Sequence, residues 1–289
     1  MAAQDKPLVV IVGSTASGKS SLAIDIAKTC EGEIICADAR TVYKGMDIGT
    51  AKPGAVDRQT VPHWGLDLIS ADKSFSAADF KQYADLKIKN IRSREKVPFL
   101  VGGTGLYVDS VLFDYQFGPK ADSEQRQKLN EMSIEDLWKY CLKHNVKLPE
   151  NKLNKRYVVR AIEQKGATPS KEERPPRGTI IVGISTEKAI LEARIRNRAK
   201  DMLRNGVIEE AITLANKYGW DNEAMKANIF TVIRLYLQND ITSSEIVDRA
   251  VVLDMRLAKR QLTWLKRNPY INWMDLEKAK SYILSQLAK

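Results

Sequence analysis

Gly13-Ser14-Thr15-Ala16-Ser17-Gly18-Lys19-Ser20 matches G-x-x-x-x-G-K-[ST], a spacing suited to holding phosphate. The glycines let successive backbone N–H groups converge on phosphate oxygens at the positive end of the helix that follows. Lys19 adds a point charge, and Ser20 offers a hydroxyl to Mg2+. What the loop does is decided by residues elsewhere. A nucleotide hydrolase carries an Asp at the end of a second strand to hold Mg2+, whereas the apolar run Phe99-Leu100-Val101 ends in Gly102-Gly103-Thr104. ATP hydrolysis is therefore disfavoured. The carboxylate stands instead at Asp38, after the apolar run 34–37; its other reading is a turn cap. Further on, Arg194 and Arg198 are four apart and share one helix face, either facing the phosphate site or paired in solvent with Glu192 and Asp201.

These groups need a frame to meet. Residues 8–12 form a short apolar run ending at a glycine, and 19–28 carry apolar residues at helical spacing, which predicts a strand, a tight loop and a helix. Residues 33–37, 97–101 and 179–184 are further strands. Ser76 and Asp79 form a capping box for a helix running to about residue 94, and Ser185 or Thr186 is expected to cap a helix over 187–203. Alternating strands and helices imply a P-loop NTPase-like parallel α/β sheet flanked by helices, with Asp38, Thr104 and the phosphate loop at the crevice along the strand ends. Between 113 and 177 the strand signal disappears into helical stretches at 124–132, 134–144 and 155–163, closed by Arg174-Pro175-Pro176-Arg177-Gly178. The expected organisation is a catalytic core over 1–112 and 178–289 with a smaller all-helical insertion over 113–177. Everything after residue 191 reads as helix, interrupted at Gly206, Gly219 and Pro269.

The charge is lopsided. Of 46 Lys+Arg and 36 Asp+Glu, residues 1–119 hold 14 and 14, leaving 32 and 22 beyond them, so the whole excess of +10 lies in the second part. A basic face neutralises phosphates, which points to nucleic acid first and an anionic membrane second. No apolar run reaches membrane-spanning length, no secretory signal opens the chain, and Cys30, Cys36 and Cys141 have no metal or redox spacing. A soluble cytoplasmic protein with reduced thiols is expected, as a monomer with no protein partner.

Several blocks together carry a resemblance. The phosphate loop, Ala37-Asp38, the run from Val42 to Pro53, Val61-Pro62-His63, Val101 to Tyr107, Arg160 to Glu163 and Ala258 to Trp264 resemble, in order, the bacterial tRNA dimethylallyltransferases over nearly the whole chain. The resemblance implies transfer of a dimethylallyl group from dimethylallyl diphosphate to N6 of the adenosine 3′ to a tRNA anticodon, with Mg2+. It assigns residues 13–20 and Arg198 to the donor diphosphate, Thr104 to the junction of donor and tRNA, and the strip Asp38, Ala39, Arg40 and Thr41 to the acceptor. An aryl amine is a weak nucleophile, so Asp38 is the candidate general base. The acceptor adenosine must be flipped out to expose N6. Arg156, Arg160, Arg256, Lys259 and Arg260 are the candidate tRNA contacts. This chain departs from the family pattern near the site, with Ala39 where Ser is usual and Trp64 where a second His is usual, and Asn228-Ile229-Phe230-Thr231-Val232 replaces a Gly-Tyr-Lys-Glu block. Two further enzymes remain open, an adenylate prenyltransferase acting on free nucleotide and a P-loop small-molecule kinase; a non-catalytic RNA binder is a third.

Overall fold

The computed structural model describes residues 6–118, 122–165 and 170–289. By contacts the chain divides into two compact units, 1–112 with 174–289, and 113–173; residues 174–177, expected in the insertion, group with the first.

In the first unit the chain runs β1 (Val9–Gly13), α1 (Lys19–Thr29), β2 (Glu33–Ala37), α2 (Ala55–Thr60), β3 (His63–Trp64), α3 (Ala77–Ser93), β4 (Pro98–Gly102) and α4 (Gly105–Leu112). In the second lie α5 (Ser123–Glu131), α6 (Ile134–Lys143) and α7 (Lys155–Glu163). The first unit then resumes with β5 (Ile180–Ile184), α8 (Lys188–Arg204), α9 (Val207–Tyr218), α10 (Asn228–Leu237), α11 (Ile246–Leu265), β6 (Asn272–Met274) and α12 (Leu276–Leu287). The sheet is parallel throughout, in the order β3-β2-β4-β1-β5-β6. β1, β2, β4 and β5 are buried along their whole length, which is why they read as unbroken apolar runs. One core packs α1 and α12 on the sheet through Leu22, Ile26, Ile34, Phe99 and Ile283. Another joins the helices after β5, around Met46, Phe230 and Ile233.

The capping box of α3 forms as expected, with Ser76 accepting from Asp79 N–H and Asp79 from Ser76 N–H. Three expectations change. β6 lies in the stretch read as all helix; it is a three-residue edge strand, too short to imprint a period-2 pattern between two helices. β3 is shorter still. The cap of α8 is Glu187 rather than Ser185 or Thr186, because Ser185 N–H donates to Met274 O at 2.8 Å and so extends the pairing with β6.

The second unit has its own small core of Leu129, Leu137, Cys141, Val158, Val159 and Ile162. Glu163, buried, accepts from Arg126 at 2.6 Å through each oxygen and from Arg160 at 3.1 Å. Burial pushes that carboxyl up, but the two arginines outweigh it and hold it below its ordinary value.

Candidate active site

The phosphate loop bridges β1 and α1. Gly18 adopts φ +91°, a left-handed conformation that favours glycine, and a Cβ there would lie 2.9 Å from Leu276 Cδ1. Beside the loop is a cavity of about 350 Å3. Thr15, Ala16, Gly18, Lys19 and Ser20 form one wall; Ile34, Cys36, Asp38 and Thr41 form the next. Thr50, Ala51, Pro53, His63, Val101 and Gly102 line the interior, and Arg194 and Arg198 reach in from α8. Gly13, Ser14 and Ser17 are buried behind the loop and frame it instead of lining the cavity.

Lys19 Nζ donates to Ser14 O at 3.1 Å. Burial pushes its ammonium down to about 8, opposed by Asp38 and reinforced by Arg198. Asp38 Oδ1 accepts Arg40 N–H at 2.8 Å, and among the described residues no donor occupies Oδ2. The Asp38 loop is pinned from β4: Thr104 Oγ1 accepts Ala39 N–H at 3.0 Å, and Thr104 N–H donates to Ala37 O at 3.2 Å. Gly102 must be glycine here, since a Cβ would fall 2.0 Å from Ala37 O. Thr104 therefore acts on the carboxylate through the backbone and does not itself line the cavity. Thr41 Oγ1 donates to Asp38 O at 3.3 Å, while Arg40 turns away to Glu223, whose carbonyl accepts from Nη1 at 2.5 Å.

Arg198 lines the cavity with an ion pair to Asp254 at 2.6 Å, so neither Glu192 nor Asp201 is its partner. Arg194 Nη1 donates to Ser17 O at 3.2 Å and braces the loop from the same face of α8. Of the candidate tRNA residues, Arg156, Arg256, Lys259 and Arg260 are exposed and among the described residues have no acidic partner. Arg160 is instead committed to Glu163.

Neither replaced position lines the cavity. The side chain of Trp64 sits beyond it: its Nε1 donates to buried Glu33 at 2.8 Å, and Lys87 Nζ lies 3.7 Å over its ring. His63, the preceding residue on β3, points the other way into the cavity, as alternation along a strand requires. Its Nδ1 bonds Val61 O at 2.7 Å, and burial lowers its pKa, keeping the ring neutral.

Sequence reasoning gave no site role to Gln261, Asp254 or the wall strip Thr50 to Pro53, although Gln261 and the strip lie in blocks that carry the family resemblance. Gln261 Oε1 accepts Thr15 N–H at 2.8 Å across 246 residues of sequence, a contact with no local signal. The strip is held by Glu210, whose carboxylate accepts N–H groups of Asp47, Ile48 and Gly49, each at 2.8 Å, and by buried Lys52, which bonds Asp67 at 2.6 Å and Asp47 at 2.9 Å.

A phosphate cradle, a carboxylate and an arginine thus border one cavity, and comparison with known proteins narrows the chemistry. The family model described as IPP transferase matches residues 41–268. A tRNA dimethylallyltransferase of Desulforudis audaxviator is 38% identical over 94% of this chain and 92% of its own length. One from Bacillus pumilus is 36% identical over 94% and 90%. The crystal structure of the tRNA isopentenylpyrophosphate transferase from Bacillus halodurans superposes with a TM-score of 0.74 at 33% identity, covering 98% of this chain and 97% of that one. With agreement along almost the full length of each, this chain belongs to the IPP transferase family.

Proposed function

We propose that the chain transfers the dimethylallyl group of dimethylallyl diphosphate to N6 of the adenosine 3′ to the anticodon of tRNA, with Asp38 as general base. The observation that carries this reading is the meeting of Lys19, Asp38 and Arg198, from three separate elements, around one cavity. The N6 lone pair attacks C1 of the allyl group, the C1–O bond breaks, and the diphosphate leaves. The N6 proton passes to Asp38 Oδ2, the oxygen not held by Arg40 N–H. Loop amides, Lys19 and Arg198 take up the charge that develops on the departing diphosphate. Thr104 and Arg40 N–H fix the carboxylate's direction, and Cys36, whose thiol burial and the nearby Asp38 push up to about 12, stays a neutral wall group.

The donor set suits Mg2+. Ser20, whose hydroxyl lies at the cavity, is the residue that would hold the ion, a hard oxygen of the kind Mg2+ takes beside substrate phosphates. Bound there, Mg2+ would neutralise diphosphate charge. On the acceptor side, exposed Arg156, Arg256, Lys259 and Arg260 are available to tRNA phosphates, and the exposed basic groups of the second part favour an RNA acceptor over free nucleotide. Among the described residues no helix is long and apolar enough to cross a membrane; a cytoplasmic site of action accords with tRNA as acceptor.

The test incubates the protein with labelled dimethylallyl diphosphate, Mg2+ and unmodified tRNA, beside Asp38→Ala. Label is expected in tRNA for the parent alone, with transfer by the variant down by about 10^2 to 10^4. Transfer surviving the substitution would remove Asp38 as the base.

A further inference from the structure

We infer that Asp254, on α11, is the positioning residue that aims Arg198 at the leaving diphosphate, with Asn228 on α10 holding Asp254 in turn. The inference rests on the proposed role of Arg198 at the donor. Asp254 Oδ2 accepts Arg198 Nη2 at 2.6 Å, and Asp254 Oδ1 accepts Asn228 Nδ2 at 2.7 Å. Each carboxylate oxygen thus has one donor, and three helices meet at one side chain. The pair is largely enclosed, with the Arg198 and Asp254 side chains 26% and 17% exposed, so it is less screened than a surface ion pair. Arg198 Nε, also buried, has no hydrogen-bond partner among the described residues.

An arginine is a long side chain whose rotamer freedom must be removed before it can meet a diphosphate in a fixed geometry. Asp254 grips the Nη2 end, and among the described residues Nη1 of Arg198, a residue that lines the cavity, carries no hydrogen bond. The buried Nε without a partner marks a guanidinium whose bonds are incomplete before a ligand arrives. Asp254 is not among the residues lining the cavity; it acts through Arg198.

A double-mutant cycle separates this role from a merely structural one. Binding of inorganic diphosphate with Mg2+ to the full chain is measured by calorimetry, together with transfer kinetics, for Arg198→Ala, Asp254→Ala, Asp254→Asn and the two Asp254 variants combined with Arg198→Ala. Asp254→Ala is expected to weaken diphosphate binding and raise the donor KM by about tenfold, with Asp254→Asn, which keeps an acceptor of the same shape, recovering most of that loss. In the Arg198→Ala background neither substitution should change binding further. Two results overturn the inference alone: Arg198→Ala weakens diphosphate binding while Asp254→Ala and Asp254→Asn do not, or the losses add in the double variants. If Arg198→Ala leaves diphosphate binding intact, the donor role of Arg198 and the inference fall together. Thermal unfolding of each variant identifies a folding defect, in which case Asp254→Asn carries the cycle.

Discussion

Two walls of the same cavity are built in opposite ways. The phosphate wall comes from one stretch of eight residues on a strand-to-helix turn, of which Thr15, Ala16, Gly18, Lys19 and Ser20 line the cavity, and its backbone N–H groups converge because Gly18 can take a left-handed conformation. The arginine wall is assembled from α8, α10 and α11, through Arg198, Asn228 and Asp254, with the ion pair spanning 56 residues of sequence. The first depends on local geometry and tolerates little change of residue type. The second depends on helix packing, so its residues can vary so long as a carboxylate or its equivalent reaches Arg198. Asn228, the first residue of the stretch that stands in place of the Gly-Tyr-Lys-Glu block, is itself part of the arginine wall.

The contrast can be broken at several points. Lys19→Met removes the charge of the local wall without changing the turn, and transfer should fall by about 10^3, measured with saturating tRNA; a loss of under tenfold would mean that the assembled wall holds the diphosphate by itself. A pH series sharpens the same point. Lys19 titrates near 8 in the free protein against an ordinary 10.5, so above pH 8 donor binding must take up a proton. Affinity should drop by up to about tenfold per pH unit from there, with proton uptake visible as a buffer-dependent heat of binding, and Lys19→Met should abolish both. The sign for stability is the reverse: between 8 and 10.5 the unfolded chain binds more protons, so this lysine makes folding stability rise with pH across that window.

Gln261→Met tests whether the local wall is truly local. Its loss leaves Thr15 N–H without an acceptor, an unmade bond of about 1 to 3 kcal/mol, and the donor KM should rise about tenfold. An unchanged KM would show that the turn stands without α11. The smallest effect is expected from Trp64→His. Because the indole faces Glu33 and Lys87 and does not line the cavity, transfer should stay within about twofold while stability drops by about 1 kcal/mol through the lost bond to Glu33. A large loss of transfer would place Trp64 in the site after all.

Much of this was readable before any coordinates. Residues 13–20, the buried strands and the capping box of α3 are written in contiguous residues, since a phosphate turn, an apolar run and a helix cap are each decided by neighbours a few positions apart. Asp38 was legible as a carboxylate at a strand end, but not the anchoring of its loop by Thr104 through Ala39 N–H. Arg160 pairs with Glu163 three positions along the same helix, a local spacing the sequence does carry, whereas the exposure of Arg256, Lys259 and Arg260 depends on which elements pack against α11. The same holds for β6, Gln261, Glu210 and Asp254. Each acts on residues dozens to hundreds of positions away, and only the packing of helices on the sheet brings them within hydrogen-bonding distance.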